Sequence, residues 1–331
     1  MDKNLCERLE GYIKKRFGGV IKILEMSPLS GGAIQENWAI DICCKGGDLS
    51  GNHKFVLRKD ALSKIPLSHR KADEYKILKM AYASNVKVPK PVLFCDKIEI
   101  IGSPFFLMER LDGIAAGHIL VKRAIDDSLI AELGQNLARI HAISTGHPAL
   151  KFLQKCDQPP SLKAISIYRD QLDNLSEAYP AIEWGLSWLE RNIPKKENYV
   201  FCHRDYRTGN LMINDLGLSG ILDWEFAGFS AREEDLGWLC AKCWRFGVNN
   251  REVGGLGMRE SLYAGYKSES GINIDCDHII YWEIMAHVRW AIIALYQAQR
   301  VFDGDRSLEL ALTANIVPEL EFEILKMIKK C

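Results

Sequence analysis

The residue pattern predicts an α+β chain of two lobes, a β-rich N-lobe over 1–111 and a mostly helical C-lobe over 112–331. Strand-like runs crowd the first part of the chain, whereas beyond Asp112-Gly113 helical spacing dominates. At 331 residues and 47% hydrophobic, the chain is long enough to bury a core in each lobe.

The first helix is expected over Asp2–Phe17, where Leu5, Leu9, Tyr12, Ile13 and Phe17 share a face and Gly18-Gly19 stops the turn. Strands follow at Val20–Met26, Asn37–Cys44 and Lys54–Lys59, separated by glycine-rich turns. A helix over Ser68–Ala83 ends before Pro89 and Pro91, and strands near Val92–Cys95 and Phe105–Leu111 close the N-lobe. In the C-lobe the spacing predicts helices over Asp126–Ser144, Ser161–Ala178, Ile182–Asn192, Arg232–Phe246, Met258–Glu269, Asp275–Val301 and Ser307–Lys330. Only Tyr199–Cys202, Leu211–Ile213 and Leu218–Asp223 look extended there.

Lys+Arg and Asp+Glu both number 43, so no global charge draws the chain to nucleic acid or an anionic membrane. The N-terminus is charged from its second residue and lacks the apolar core of a signal peptide. No stretch approaches 18 apolar residues, so no transmembrane helix is expected, and the expected location is cytoplasmic. Ten scattered cysteines fit reduced, buried thiols, and neither Cys240/Cys243 nor Cys43-Cys44 has the companions of a zinc site.

The segment Phe201–Asn210 reads H-R-D-x-x-x-x-N, and further on an apolar strand ends in Asp223-Trp224-Glu225. Phosphoryl transfer needs this set: a carboxylate for the attacking hydroxyl, then an amide oxygen and a second carboxylate for Mg²⁺. Asp205 is the candidate catalytic carboxylate, with Asn210 and Asp223 as metal ligands, since Mg²⁺ prefers few hard oxygen donors besides phosphates and water. His203 is expected to brace the loop by bonding backbone near Asp223. Glu225 is placed equally well near the same ion or in a salt bridge.

In the N-lobe, Ser30, Gly31 and Gly32 link two strands and would let backbone N–H groups approach phosphate. Arg58 on the strand Lys54–Lys59 is expected to reach the α/β-phosphates and to pair with Glu74 on the next helix, while Lys59 points to the opposite, exposed face. Met108, Glu109 and Leu111 lie where strand runs into hinge and would read the adenine edge.

Together these segments, with Asn37-Trp38, Gly102–Arg110, Asp235–Leu239 and Trp244–Gly247, resemble the aminoglycoside phosphotransferase-like (choline kinase-like) small-molecule kinases. The likeness spans nearly the whole chain and is strongest to the branch related to the kinase domain of acyl-CoA dehydrogenase fusion proteins. It implies a protein-kinase-like fold, ATP and Mg²⁺ as cofactors, and transfer of the γ-phosphoryl group to an alcohol, with a hydroxyacyl-CoA thioester as the acceptor suggested by this branch. Arginine at position 58 is usual in this branch. Arg204 stands where the family generally has glycine, and either touches substrate or braces the loop. Asp235 is taken as the residue that ties down the catalytic loop. The acceptor is expected among Trp244, Arg245, Tyr281, Trp282, Arg289, Trp290, Tyr296 and Arg300, although a stripe such as Trp282, Met285 and Arg289 is more often core than a ligand box. An aminoglycoside or other small-alcohol kinase is the alternative acceptor reading, and a nucleotide-binding pseudokinase the non-enzyme one. A protein kinase is disfavoured by the short segment between Asp223 and Asp235.

Overall fold

The computed structural model describes residues 3–29, 35–60, 68–155, 157–302 and 312–331. In chain order the first elements are α1 (Lys3–Phe17), β1 (Val20–Pro28), β2 (Gln35–Lys45), β3 (Gly51–Asp60), α2 (Lys71–Ala83), β4 (Pro91–Cys95), α3 (Ile98–Ile101) and β5 (Phe105–Glu109). Next come α4 (Gly117–Leu120), α5 (Asp127–His141), α6 (Pro160–Asp173), α7 (Pro180–Arg191), β6 (Tyr199–Cys202), β7 (Leu211–Asn214), β8 (Gly217–Ile221) and β9 (Gly228–Ala231). The chain ends with α8 (Arg232–Cys240), α9 (Arg259–Ser270), α10 (Cys276–Phe302) and α11 (Val317–Ile328). It divides into two units that are discontinuous in sequence, one of Met1–Gly113, Pro148–Phe152 and Met212–Phe226, the other of the remaining segments.

The first unit is built on an antiparallel sheet ordered β1-β2-β3-β5-β4. One face packs Ile21, Ile23, Ile40, Ile42, Phe55, Leu57, Phe105 and Leu107 against Cys6, Leu9 and Ile13 of α1. On the other face Tyr75 of α2 stacks on Phe94 and packs at a tilt of 44° against Phe106. Because both faces are covered, the centre of β3 is buried without alternation from Phe55 to Arg58. The β7–β8 segment joins this unit through the Ile221 amide, which donates to the Lys87 carbonyl at 2.8 Å, and through Ser219 Oγ, 2.8 Å from the Asp112 carbonyl. Gly11 sits on the exposed side of α1 with nothing within 4 Å of an added Cβ. Gly11→Ala is therefore expected to stabilise the fold by about 0.5–1 kcal/mol, read as a higher urea midpoint at constant slope.

The second unit is helical, with a core formed by α6, α7, α10 and α11 around Ile182, Leu186, Trp282, Met285, Val288, Ile292 and Ile324. Against the sequence expectation, α10 is long and apolar enough, over Cys276–Val301, to cross a membrane. Yet 67% of that window is buried, which is the behaviour of a core helix. The helix expected over Arg232–Phe246 stops at Cys240, because Ala241 turns to φ −57°, ψ 139° and a 3₁₀ turn at Lys242–Trp244 follows. One strand was unforeseen: β9 pairs antiparallel with β6, Tyr199 opposite Ala231 and Cys202 opposite Gly228.

Within α10, burial pushes the pKa of His287 down to about 4, against the 6.5 of an ordinary imidazole. The Glu283 carbonyl and Glu323 oppose that shift, and Arg245 and Lys242 reinforce it. Between these values the unfolded chain binds a proton that the folded chain refuses. Stability therefore falls as pH drops from about 6.5 toward 4, by about 3 kcal/mol in all. Urea titrations across that window are expected to show a shallower pH dependence for His287→Gln.

Candidate active site

In the second unit, the β6–β9 pair ends at His203 and hands the chain to a loop whose backbone is held from within. Buried Asp235, at the start of α8, accepts the His203 amide at 2.8 Å and the Arg204 amide at 2.6 Å. His141 Nε2 lies 3.2 Å from the same carboxylate, and its Nδ1 lies 2.9 Å from the Tyr266 hydroxyl. Burial works against the charge on Asp235, but the His141 and His203 contacts outweigh it and leave the pKa below the usual value. His141, Cys202 and Asp235 fall within 4.8 Å of one another, as metal ligands do. Burial, however, pushes the Cys202 thiol well up, and the Asp235 oxygens already carry three partners, so the trio is an anchor for the loop.

The loop itself is tightly pinned. Tyr206 sends its hydroxyl to the Leu133 carbonyl at 3.0 Å, and Thr208 Oγ1 donates to the Gly254 carbonyl at 2.8 Å. The Asp205 amide donates to His203 Nδ1 at 3.2 Å. The Asp205 carboxylate receives Asn210 Nδ2 on Oδ2 at 2.6 Å, and Trp238 Nε1 and Arg207 Nε on Oδ1 at 2.9 and 3.2 Å. Asn210 thus turns its amide nitrogen to Asp205, which directs its oxygen elsewhere. Arg204 adopts φ 63°, a left-handed backbone that explains why glycine suits this position, and its Nε lies 3.2 Å from Glu234 Oε1.

In the first unit, Arg58 is buried, with its side chain 5% exposed, and gathers three carboxylates. Its Nε lies 2.6 Å from Glu74 Oε1, Nη1 lies 2.7 Å from Asp223 Oδ1, and Nη2 lies 4.0 Å from Glu225 Oε2. Burial opposes its charge, but Glu74, Asp223 and Glu225 outweigh that and raise its pKa. Glu74 is shared: Lys71, also buried, reaches its Oε2 at 2.5 Å. Asp223 keeps a third of its side chain exposed and holds φ 60°. Lys59 is not simply solvent-facing as expected: it pairs with Glu36 at 2.8 Å and is 23% exposed. The amides of Glu109 and Arg110 donate to the Lys90 and Lys54 carbonyls, each at 2.9 Å. The side chain of Leu111 covers Gly220, where a Cβ would fall 2.2 Å from its Cδ1, and Met108 lies opposite Val56 in the sheet. Ser30, Gly31 and Gly32 lie outside the described residues.

The sequence reading missed Trp238 as a partner of Asp205, Lys71 as a partner of Glu74 and His141 as a partner of Asp235. Trp238 and Asp205 meet across 33 residues and His141 and Asp235 across 94, so neither carries a local signal, whereas Lys71 and Glu74 stand three residues apart on α2, a spacing that marks such a pair. Tyr281, Trp282 and Met285, considered for the acceptor, belong to the core instead.

Residues 25–270 match the family model for phosphotransferase enzymes, APH, well over half of the chain. The chain belongs to this phosphotransferase family. The APH family is one of phosphotransferase enzymes. Among curated proteins, the rat acyl-CoA dehydrogenase family member 11 is 26% identical over 291 residues, covering 82% of this APH chain and 37% of the relative. The chain thus spans little more than a third of that relative's length. A crystal structure from Ralstonia eutropha, assigned to the aminoglycoside phosphotransferases, superposes with a TM-score of 0.75 at 20% identity, covering 98% of each chain. Spectinomycin phosphotransferase, solved with ADP and spectinomycin, gives a TM-score of 0.65 at 16% identity, covering 97% of this chain and 98% of that one. The fold is accordingly the α+β protein-kinase-like one, with a β-rich part and a mostly helical part.

Proposed function

We propose that this APH-family enzyme moves the γ-phosphoryl group of Mg·ATP to a hydroxyl of a small molecule, with a hydroxyacyl-CoA as the first acceptor to test. The observation that carries the reading is the Asp205 carboxylate, fixed by three donors in a loop anchored through its own backbone. In this reading Asp205 accepts a hydrogen bond from the acceptor hydroxyl. As the new phosphorus–oxygen bond forms and the bond to ADP breaks, the hydroxyl proton passes to the carboxylate. Asn210 and Asp223 are the oxygen donors assigned to Mg²⁺, which when bound neutralises charge on the phosphates.

Arg58 suits a phosphate. Its Nη2 is buried without a hydrogen-bonding partner among the described residues, a donor that an anionic oxygen would satisfy. Glu74 holds the guanidinium in place, and Glu225, after Asp223, is the third of its acidic neighbours. With the Glu109 and Arg110 amides engaged in the sheet, the Leu111 amide is the hinge donor assigned to the adenine edge. Ser30, Gly31 and Gly32 keep their assignment as a phosphate loop, and His203, Arg204 and Asp235 theirs as supports of the catalytic loop. The likeness to acyl-CoA dehydrogenase family members favours a CoA thioester, and the likeness to spectinomycin phosphotransferase gives aminoglycosides as the second reading. Arg204 and Arg207 beside Asp205 favour the anionic acceptor, since a polycationic one calls for acidic groups.

The deciding experiment is ADP release from Mg·ATP with a panel of hydroxyacyl-CoAs, spectinomycin, kanamycin, choline and sugars. Product phosphate is confirmed by mass. Turnover with a hydroxyacyl-CoA is expected. Turnover confined to the aminoglycosides would replace that acceptor, and nucleotide binding without turnover on any acceptor would favour a pseudokinase.

A further inference from the structure

We infer that Trp238 is a positioning residue for phosphoryl transfer: its indole N–H, together with Arg207, commits Oδ1 of Asp205 and leaves Oδ2 as the oxygen that takes the proton. The inference rests on the reading of Asp205 as the base.

Trp238 is 2% exposed, so its N–H requires a partner, and Asp205 Oδ1 at 2.9 Å is that partner. Its ring is held from two directions. Arg289 lies over it, with the guanidinium carbon 4.2 Å from the ring centroid, and Trp244 packs at 5.1 Å with a 57° tilt. Arg207 stacks in turn on Trp244, at 4.6 Å from the centroid, and sends Nε to the same Oδ1 at 3.2 Å. The two donors to Oδ1 therefore belong to one stack, Arg289–Trp238–Trp244–Arg207, and neither can swing without disturbing the other. Glu234 fixes the far end, 3.3 Å from Arg289 Nη1.

The consequence for the carboxylate is asymmetric. Among the described residues Oδ1 receives two donors, whereas Oδ2 receives only Asn210, at 2.6 Å. A carboxylate oxygen offers two lone pairs, so Oδ2 retains one for the acceptor hydroxyl while Oδ1 does not. The stack thus selects both the rotamer of Asp205 and the oxygen that points at the substrate. Losing the indole N–H frees the carboxylate to rotate, and a misplacement of about 1 Å in a reacting group costs on the order of 100-fold in rate.

The test separates this role from a packing role by replacing Trp238 with 3-benzothienylalanine, which keeps the ring and removes the N–H. Activity is read as phosphate release from Mg·ATP, with water as acceptor, and as transfer to hydroxyacyl-CoAs. Expected are a fall in kcat of about 10- to 100-fold, a KM for ATP within about twofold, and unchanged thermal unfolding. Independently of turnover, the Trp238 indole ¹⁵N–¹H resonance, assigned by its loss in Trp238→Phe, is expected to move in Asp205→Ala. An unshifted resonance overturns the inference. So does a kcat for the N–H-less protein within about twofold of the unmodified one while Asp205→Ala is inactive. An active Asp205→Ala protein instead overturns the assignment of the base, and the inference with it.

Discussion

Asp205→Ala is expected to transfer phosphate about 10²–10⁴-fold more slowly than the unaltered protein. The loss should fall on kcat, with little change in the affinity for ATP, because Arg58 and Glu74 keep their own contacts. Removing the carboxylate strands three donors, from Asn210, Trp238 and Arg207, so a destabilisation of about 1–3 kcal/mol is also expected. Asp205→Asn separates the two effects. It keeps the side-chain volume but cannot take the proton, and its amide nitrogen meets donors on one side or the other. Steady-state rates and thermal unfolding on both variants provide the check. Transfer within about tenfold of the original rate in either protein would remove Asp205 from the chemistry.

Gly265→Ala is expected to cost about 3 kcal/mol or more, the largest loss foreseen for any single methyl in this chain. Helices α5 and α9 cross through paired glycines. A Cβ on Gly265 would fall 1.9 Å from the Ala131 carbonyl oxygen, and one on Gly134 would fall 2.1 Å from that of Leu262. The obstacle is backbone on both sides, so no rotamer change relieves it. The damage should reach the catalytic loop, because α5 carries His141 and α9 carries Tyr266, the two groups behind Asp235. Chemical unfolding should show the lost stability. Amide exchange of residues 203 and 204 should quicken in the same variant. Wild-type-like stability would mean that the two helices are not so closely apposed.

Much of this fold was legible in the sequence, and the exceptions have physical causes. The strand Tyr199–Cys202 and most helices announced themselves through apolar spacing. Gly228–Ala231 did not, because all four residues are buried and so show no alternation, and a Gly-Phe-Ser-Ala run has little strand propensity. Gly134 and Gly265 are the contact that lets two backbones approach, a role that depends on the partner helix and leaves no mark in either segment. The helix after Asp235 was drawn too long since Cys243 and Trp244 continue an apolar pattern, and nothing in that pattern marks the turn at Ala241. The candidates Asp205, Asn210 and Asp223 could be proposed from the sequence because their spacing is local and chemically restrictive. Trp238, which holds Asp205, and His141, which holds Asp235, could not, since an N–H or an imidazole that bonds across the fold leaves no periodic trace. Lys71, three residues from Glu74 on one helix, had such a trace and was passed over.

Asp235 grips peptide groups and not side chains at 203 and 204. What stands at position 204 is thus immaterial to the grip, provided its backbone tolerates φ 63°. A bulky cation there is a matter of about 1–2 kcal/mol of strain, which leaves the mooring intact. The same scaffold can accordingly change what it displays beside the Asp205 carboxylate, from nothing to a guanidinium, without rebuilding the floor beneath it.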